Sequence, residues 1–262
     1  GLNIKLGDFY TPIGFESVPA PDIFFYTRGS ILNSGEPFTH TGLLTSLSVT
    51  KNWLVQTGAT TGSATGGWDG GFDKQLDNWG ALLNIIWNSD DKKTSAQIGG
   101  TYGTTAVDEP WLMYSTVLQR WWTPKTHMVI HHTHGWASNI NLPEGIKNAS
   151  WYSINTHLTY DLFRDVSLGI RAERFHDRNG WRVFSPYRIL SALNNKGASF
   201  AGNVPFISAP ADYYAVTLGA NWNPGKRFGW KSLENLIIRK NIRYDRADGV
   251  GMAFRPFDGK KD

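Results

Sequence analysis

Two tryptophan residues bracket the segment WGALLNIIW at residues 79–87. Between them, Ala81, Leu83 and Ile85 occupy every second position, and the polar Asn84 lies on the opposite parity. A period of two predicts a β-strand with one apolar and one polar face. Eight residues of strand cover roughly 26 Å. This is close to the roughly 25 Å apolar band of an outer-membrane barrel, whose aromatic girdles lie at the two lipid interfaces.

The same spacing of eight recurs in two later segments. Tyr152 and Tyr160 bracket one alternating segment, and Tyr214 and Trp222 bracket another. Aromatic rings at both ends of an apolar stripe are typical of strands that cross a membrane. The predicted membrane-interface girdle therefore consists of Trp79, Trp87, Tyr152, Tyr160, Tyr214 and Trp222.

The composition argues against several other classes of protein. The chain has 262 residues, no cysteine, 18% charged residues and a net charge of +4. The basic residues form no run, so nucleic-acid binding has little support. No apolar run approaches the 18 or so residues that a membrane-spanning helix needs. Low-complexity linkers are also absent, which predicts one domain over residues 1–262.

Alternation and turn residues predict eleven strands. Their bounds are residues 2–9, 41–50, 53–61, 78–88, 94–103, 111–122, 126–136, 150–160, 165–176, 212–222 and 235–245. Short connections alternate with mostly longer ones, as in barrels with short periplasmic turns and long extracellular loops. The connection 223–234 departs from this alternation because it should be short. Within the longest connection, residues 185–193 carry the start signal of a short helix.

The predicted fold class is all-β, an antiparallel transmembrane β-barrel of the outer-membrane type. A bacterial single-chain barrel normally has an even number of strands, so we expect at least twelve when the barrel is complete. Gly1 opens directly into an alternating segment, and residues 258–262 are turn-like. We therefore expect upstream sequence, including an export signal, and a closing C-terminal strand outside this chain.

Three stretches of the chain resemble a known family. The most specific is GDFYTPIGFE, followed by VPAPD and FFY, within residues 7–26. Weaker support comes from residues 169–182 and 236–245. Together they resemble the putative beta-barrel porin-2 family, also called OmpL-like porins. The resemblance implies a diffusion channel in the outer membrane of a Gram-negative bacterium. It also implies a final strand that ends in an aromatic residue after residues 260–262.

Strand parity assigns side chains to the water-filled lumen that such a channel needs. An Arg or Lys in lipid costs roughly 2–4 kcal/mol at the bilayer midplane, so charged residues are expected on the inward face. The predicted pore-lining residues are Arg171, Glu173, Arg239, Asn241, Arg243, Asp245, His127, His131 and His157. Two interpretations stay open. The arginines and carboxylates form an ion-selecting screen, or they are pairs that only stabilise the wall.

Parity leaves two assignments ambiguous. Parity assigns the Lys240 side chain to the lipid-facing side. Either Lys240 lies near an interface, where its side chain can reach water, or a β-bulge reverses the inward and outward faces of the residues that follow it. In the strand 111–122, either the even-numbered set that begins with Leu112 or the odd-numbered set that begins with Trp111 faces outward. Arg120 is inward only in the second case.

Two histidines on one strand face raise the question of a metal site. His132 and His134 are two positions apart, which brings their side chains to about 7 Å. Met128 and Ile130 share that face, and with Trp136 as its upper girdle residue the two histidines are expected near the outer interface. No metal site is predicted.

The long segment 10–40 is rich in proline and aromatic residues. It either folds into the lumen and narrows it, or packs outside on the barrel rim. We favour the infolded arrangement, because so many aromatic rings would form an exposed apolar patch outside.

These features predict an outer-membrane porin for the passive diffusion of small hydrophilic solutes or ions. One alternative is a structural or scaffolding barrel within a larger envelope complex, which should have a wide, unobstructed lumen. Another is a soluble β-sandwich that binds carbohydrate, in which aromatic residues should cluster in loops.

No enzyme and no cofactor are predicted. The sequence has no Gly-x-Ser-x-Gly elbow of an esterase, and the glycine-rich residues 61–67 lack the Lys-Ser/Thr ending of a phosphate loop. The expected partners are membrane lipid and small solutes or ions. A homotrimer or an envelope complex would fit the same fold, and nucleic acid is not expected.

Overall fold

The computed structural model describes residues 1–61, 79–104, 109–142, 145–183 and 210–249. Within these ranges, eleven antiparallel strands form one sheet in the order of the sequence, β1 to β11. The strands are β1 (Leu2–Tyr10), β2 (Thr39–Ser48), β3 (Trp53–Thr61), β4 (Trp79–Asn88), β5 (Thr94–Thr104), β6 (Pro110–Thr123), β7 (Thr126–Leu142), β8 (Gly145–Asp161), β9 (Val166–Asp177), β10 (Ala211–Trp222) and β11 (Ile238–Gly249). The all-β prediction is confirmed, and this single sheet differs from the two packed sheets of a β-sandwich.

Helical structure is short throughout the described residues. It comprises the helix α1 (Pro224–Phe228), a π-turn at Ile31–Gly35, and 3₁₀ turns at Ala20–Asp22 and Lys231–Leu233. No helix in these ranges is long and apolar enough to cross a bilayer. The predicted helix at residues 185–193 lies outside the described residues, as do residues 258–262.

The unusually long connection before β11 contains α1. The Asn223 side chain caps this helix by accepting a hydrogen bond from the Lys226 amide at 2.8 Å, and Pro224 follows at the first helical position. Gly229 ends it with a φ of 69°, a conformation that glycine adopts without strain. These local signals explain why fifteen residues, 223–237, stand where a short turn was expected.

The predicted bounds of three strands, β7, β8 and β11, differ most from those in the structure. β7 and β8 extend through most of residues 137–149, which had been expected to form a loop. A register shift between Ala137 and Ile140, with Asn139 at a φ of 60°, interrupts the alternation there and hides the strand. β11 begins at Ile238 rather than residue 235, because the 3₁₀ turn lies just before it, and it continues to Gly249.

The burial pattern of the sheet is the reverse of that in a soluble protein. On β10, Leu218 is 52% exposed while the neighbouring Thr217 is fully buried. On β4, Leu83 is 48% exposed and Asn84 is fully buried. An apolar outer face and a polar inner face fit strands that contact lipid on one side.

Residues 11–38, which we call the inner segment, explain why the inward side chains are buried. The carbonyl oxygen of Pro12 accepts hydrogen bonds from Asn84 on β4 and Gln97 on β5, each at 2.9 Å. The carbonyls of Ala20 and Pro21 accept hydrogen bonds from Arg239 on β11, each at 2.7 Å. Strands from distant parts of the sheet therefore contact one segment, so the sheet curves around it. The infolded arrangement is confirmed.

Gly169 allows the closest approach between the inner segment and the wall. A Cβ atom at this position on β9 would overlap the ring of Phe24. Gly219 on β10 plays the same part for Phe25, whose ring atom Cδ1 would lie 2.9 Å from an added Cβ atom. Phe24 and Phe25 thus pack directly against the backbone of the wall, at two positions where glycine leaves room for an aromatic ring.

Candidate functional site

A buried arginine connects the wall of the barrel to the inner segment. Arg171 on β9 is fully buried. Its Nη1 atom lies 2.6 Å from Glu16 Oε1 and donates to the carbonyl of Thr27 at 2.8 Å. Its Nε atom lies 2.7 Å from Oε1 of Glu173 on the same strand. One guanidinium therefore bridges a carboxylate of the inner segment and a carboxylate of the wall.

Glu16 belongs to the inner segment and not to a strand. Its Oε2 atom accepts a hydrogen bond from the Gly29 amide at 2.6 Å. Burial raises the pKa of the Glu16 carboxyl, while the Arg171 guanidinium and the Gly29 amide act in the opposite direction. The carboxyl thus closes a turn of the inner segment and bonds to the wall at the same time.

The network of charges continues from β9 to β11. The Glu173 carboxylate accepts a hydrogen bond from the Ser30 amide and lies 3.4 Å from Arg243 Nη1. Arg243 Nη2 lies 2.8 Å from Asp245 Oδ1, and its Nη1 atom donates to the Arg28 carbonyl at 2.9 Å. Opposite charges therefore alternate across the inward face of these strands.

Arg239 and Asn241 complete the inward face of β11. Arg239 binds the carbonyls of Ala20 and Pro21, as described above. The Asn241 side chain lies beside the Tyr26 backbone. The six charged and amide residues that parity assigned to β9 and β11 therefore lie on one face, next to the inner segment.

A second anchor holds the end of the inner segment. Glu36 Oε1 lies 2.9 Å from Nε2 of His131 on β7, and both side chains are at most 1% exposed. The same His131 nitrogen lies 2.9 Å from the Ser115 hydroxyl on β6. Serine and glutamate share one ring nitrogen, whereas a catalytic triad requires the two partners on opposite nitrogens. The arrangement fits an anchor and not a nucleophile.

A third anchor comes from the connection after β9. Arg182 Nε donates to the Ser34 carbonyl at 2.6 Å, and its guanidinium carbon lies 4.5 Å from the centre of the Trp151 ring. The Trp151 indole donates to the Gly35 carbonyl at 3.0 Å. Asp177 fixes this connection by accepting three backbone hydrogen bonds, from residues 181, 182 and 183.

The remaining predicted histidines also lie on the inward face. His127 Nε2 lies 3.2 Å from Gln119 Oε1, and its ring stacks on Trp121 with centroids 4.5 Å apart. His157 is 3% exposed, and its ring meets Phe15 edge-on with centroids 5.0 Å apart.

The amino-acid sequence matches the family described as Putative beta-barrel porin-2, OmpL-like, over residues 1–262. The chain belongs to this family. No curated protein sequence matches it. Its setting is the bacterial outer membrane, and the function class is that of a porin.

Two solved structures share the fold of this porin. One is the outer membrane channel DcaP of Acinetobacter baumannii, with a TM-score of 0.56 and 12% identity over 98% of this chain and 67% of that chain. The other is OprB of Pseudomonas putida, with a TM-score of 0.56 and 12% identity over 93% of this chain and 64% of that chain. The porin chain thus spans about two thirds of the length of each neighbour.

The porin structure decides both ambiguous assignments on the outward face. On β6 the even-numbered set faces outward, since Leu112 is 47% exposed while Trp111 is buried. Arg120 is accordingly outward, with its guanidinium carbon 5.0 Å from the Trp122 ring centre. Lys240 points outward on β11, as parity indicated, two residues from the start of the strand.

His132 and His134 also lie on the outward face of the porin. Their ring centroids are 6.3 Å apart, and His134 stacks on Trp136 at 4.1 Å. Within the described ranges, no three groups of the kinds that bind metals come together at one place. The two histidines lie near the middle of β7, in an aromatic surface that includes Tyr114 and Trp136.

Five of the six predicted girdle residues lie near the ends of their strands, whereas Tyr152 lies in the middle of β8. Trp79, Tyr160 and Tyr214 are exposed on the outward face. The other three, Trp87, Tyr152 and Trp222, are partly buried. Tyr152, for example, stacks on His176 with centroids 4.8 Å apart. Their contact with the lipid interface stays a prediction.

Sequence reasoning missed Glu16, Glu36 and Arg182, which together fix the inner segment. None of them lies in an alternating segment, so no periodic signal marked them. Their partners are 155, 95 and 148 residues away, respectively. The one available signal was the resemblance, which contains Glu16 and Arg182 but assigns them no contact.

Proposed function

We propose that this porin is a passive diffusion channel for small hydrophilic solutes or ions, narrowed by its inner segment. One observation carries the proposal: residues 11–38 lie against the polar inward face and are held there by buried ion pairs, while the outward face is apolar. A fixed segment inside a polar lumen restricts the size and charge of what can pass.

The predicted pore-lining residues divide into two roles in this proposal. Arg171 and His131 are at most 1% exposed, so they act by holding the inner segment in place. The side chains of Arg243 and Asp245 are 22% and 26% exposed, so they present charge to the solute pathway. Both earlier interpretations, a selective screen and a stabilised wall, therefore apply to different residues.

The test is single-channel conductance of the purified chain in a planar bilayer, with a salt gradient across it. Steady, discrete openings are expected. A reversal potential different from zero would report the ion preference set by the exposed charges. A protein that inserts and never conducts would contradict the diffusion channel and favour a plugged or scaffolding barrel.

The inner segment argues against the scaffolding alternative, because a barrel that encloses a partner protein needs an unobstructed lumen. The serine, histidine and glutamate arrangement at His131 offers no support for catalysis, and we propose no enzymatic role. One barrel domain is proposed, since all described strands belong to one sheet. A homotrimer or an envelope complex stays a prediction, to be measured by the mass of the detergent-solubilised protein.

A further inference from the structure

A cavity of about 340 Å³ lies beneath the inner segment, at the end of the barrel that carries the short turns. Phe15 and Phe24 of the inner segment and Trp121 of β6 contribute rings to its lining. His157 on β8 and Asn221 on β10 contribute polar groups. A concave site with apolar rings and a few polar groups is the usual form of a small-molecule site.

Two polar atoms in this lining have no hydrogen-bond partner among the described residues. His157 is 3% exposed, and its Nε2 atom is unpaired. Asn221 donates through Nδ2 to the Phe24 carbonyl at 3.0 Å, while its Oδ1 atom is buried and unpaired. Buried polar atoms in proteins are nearly always paired. These two atoms therefore carry unused hydrogen-bonding capacity beside the cavity, which a ligand can use once the lining side chains shift toward it.

The charges around the cavity favour a neutral ligand. Both signs of charge line it: the carboxylates are Asp22, Asp161 and Asp165, and the cations are Arg164 and Lys226. Asp161 is already bonded to the Ser167 hydroxyl at 2.6 Å. A lining with both signs of charge gives neither anions nor cations a dominant attraction.

We infer that this cavity binds a neutral, hydroxyl-rich ring of the monosaccharide class. A hydroxyl group can donate to Asn221 Oδ1, and it can donate to or accept from His157 Nε2 according to the tautomer. The C–H faces of such a ring pack against the aromatic rings of Phe15, Phe24 and Trp121. The inference rests on the proposed diffusion channel, because it identifies a class of solute that passes through it.

The experiment adds glucose, and separately glycine, to the full chain in a planar bilayer and records the current. We expect a block of the current that saturates with glucose and does not saturate with glycine at equal osmolarity. The variants His157→Phe and Asn221→Leu should each weaken the apparent glucose affinity by about two- to tenfold. Asn3→Leu is the control, since Asn3 pairs with Ser46 on β1 and β2, away from the cavity, and should leave the glucose effect unchanged.

The outcomes separate this inference from the proposed function. A channel that conducts salt and shows no saturable effect of glucose would overturn the inference and leave the diffusion channel intact. Equal saturation by glycine would overturn the assignment to a neutral sugar. If the chain does not conduct, the diffusion channel fails. Saturable quenching of tryptophan fluorescence by glucose, through Trp121, then decides whether the cavity binds the sugar.

Discussion

Arg171 and Glu16 form an ion pair of 2.6 Å inside the barrel, with side chains that are 0% and 5% exposed. The two residues are 155 positions apart in the sequence, so their contact joins the inner segment to the wall. Glu173 shares the same guanidinium. Removing Arg171 therefore leaves the buried Glu16 carboxylate without its cation and leaves Glu173 with Arg243, at 3.4 Å, as its ion-pair partner.

The Arg171→Met variant should release the inner segment. Loss of one partner from a buried pair costs roughly 3–5 kcal/mol, so the melting temperature should fall and the conductance should rise. Arg174→Met is the matched control. It lies on the same strand, faces outward at 44% side-chain exposure and pairs with Asp212, and a surface pair contributes about 0–1 kcal/mol. Equal effects of the two variants would show that Arg171 does not hold the segment.

The Arg243→Glu variant should move the ion preference of the channel toward cations. Arg243 is 22% exposed on the inward face of β11 and lies beside Glu173 and Asp245, so reversing its charge makes this part of the pathway acidic. The measurement is the reversal potential under a salt gradient. Arg246→Glu provides the control, because Arg246 lies three residues along and points outward. If both variants shift the potential equally, the effect does not arise in the lumen.

The Gly169→Ala variant should displace the inner segment by steric contact with Phe24. Overpacking of this kind costs typically about 1–3 kcal/mol, which thermal unfolding should detect. Gly103→Ala is expected to be tolerated, since the nearest atom to an added Cβ there is 3.6 Å away. Combining Gly169→Ala with Phe24→Ala should recover part of the loss. If the losses of stability in the two single variants simply add in the double variant, the two residues are not in contact.

The strands could be predicted from the sequence because a membrane strand carries its signal locally. The period of two and the aromatic residue at each end of β4 determine which side chains face outward. That parity assigned Arg171 and Arg243 to the face on which the inner segment lies, without any knowledge of their partners. The extension of β7 and β8 was missed because Asn139, at a φ of 60°, lies within the register shift that breaks the period.

The contacts of the inner segment could not be predicted in the same way. Residues 11–38 have no periodic pattern, and their partners depend on how the whole sheet curves. The aromatic content indicated that this segment folds into the lumen, because a position outside would expose Phe24 and Phe25 to water. Nothing in the sequence paired Glu36 with His131, since that 2.9 Å contact requires both β7 and the π-turn to be in place.

Arginine substitutions on the outward face test how deep each position of β10 and β11 lies in the membrane. Leu218 is 52% exposed and lies midway between Tyr214 and Trp222 on β10. Leu218→Arg should destabilise the folded protein in lipid vesicles by roughly 2–4 kcal/mol, the cost of arginine at the midplane. Ile238→Arg should cost roughly 0–1 kcal/mol, as for arginine near an interface, because Ile238 pairs with Trp222 at the end of the sheet. Urea unfolding from vesicles measures both values, and equal costs would contradict the assignment of Tyr214 and Trp222 to the two lipid interfaces.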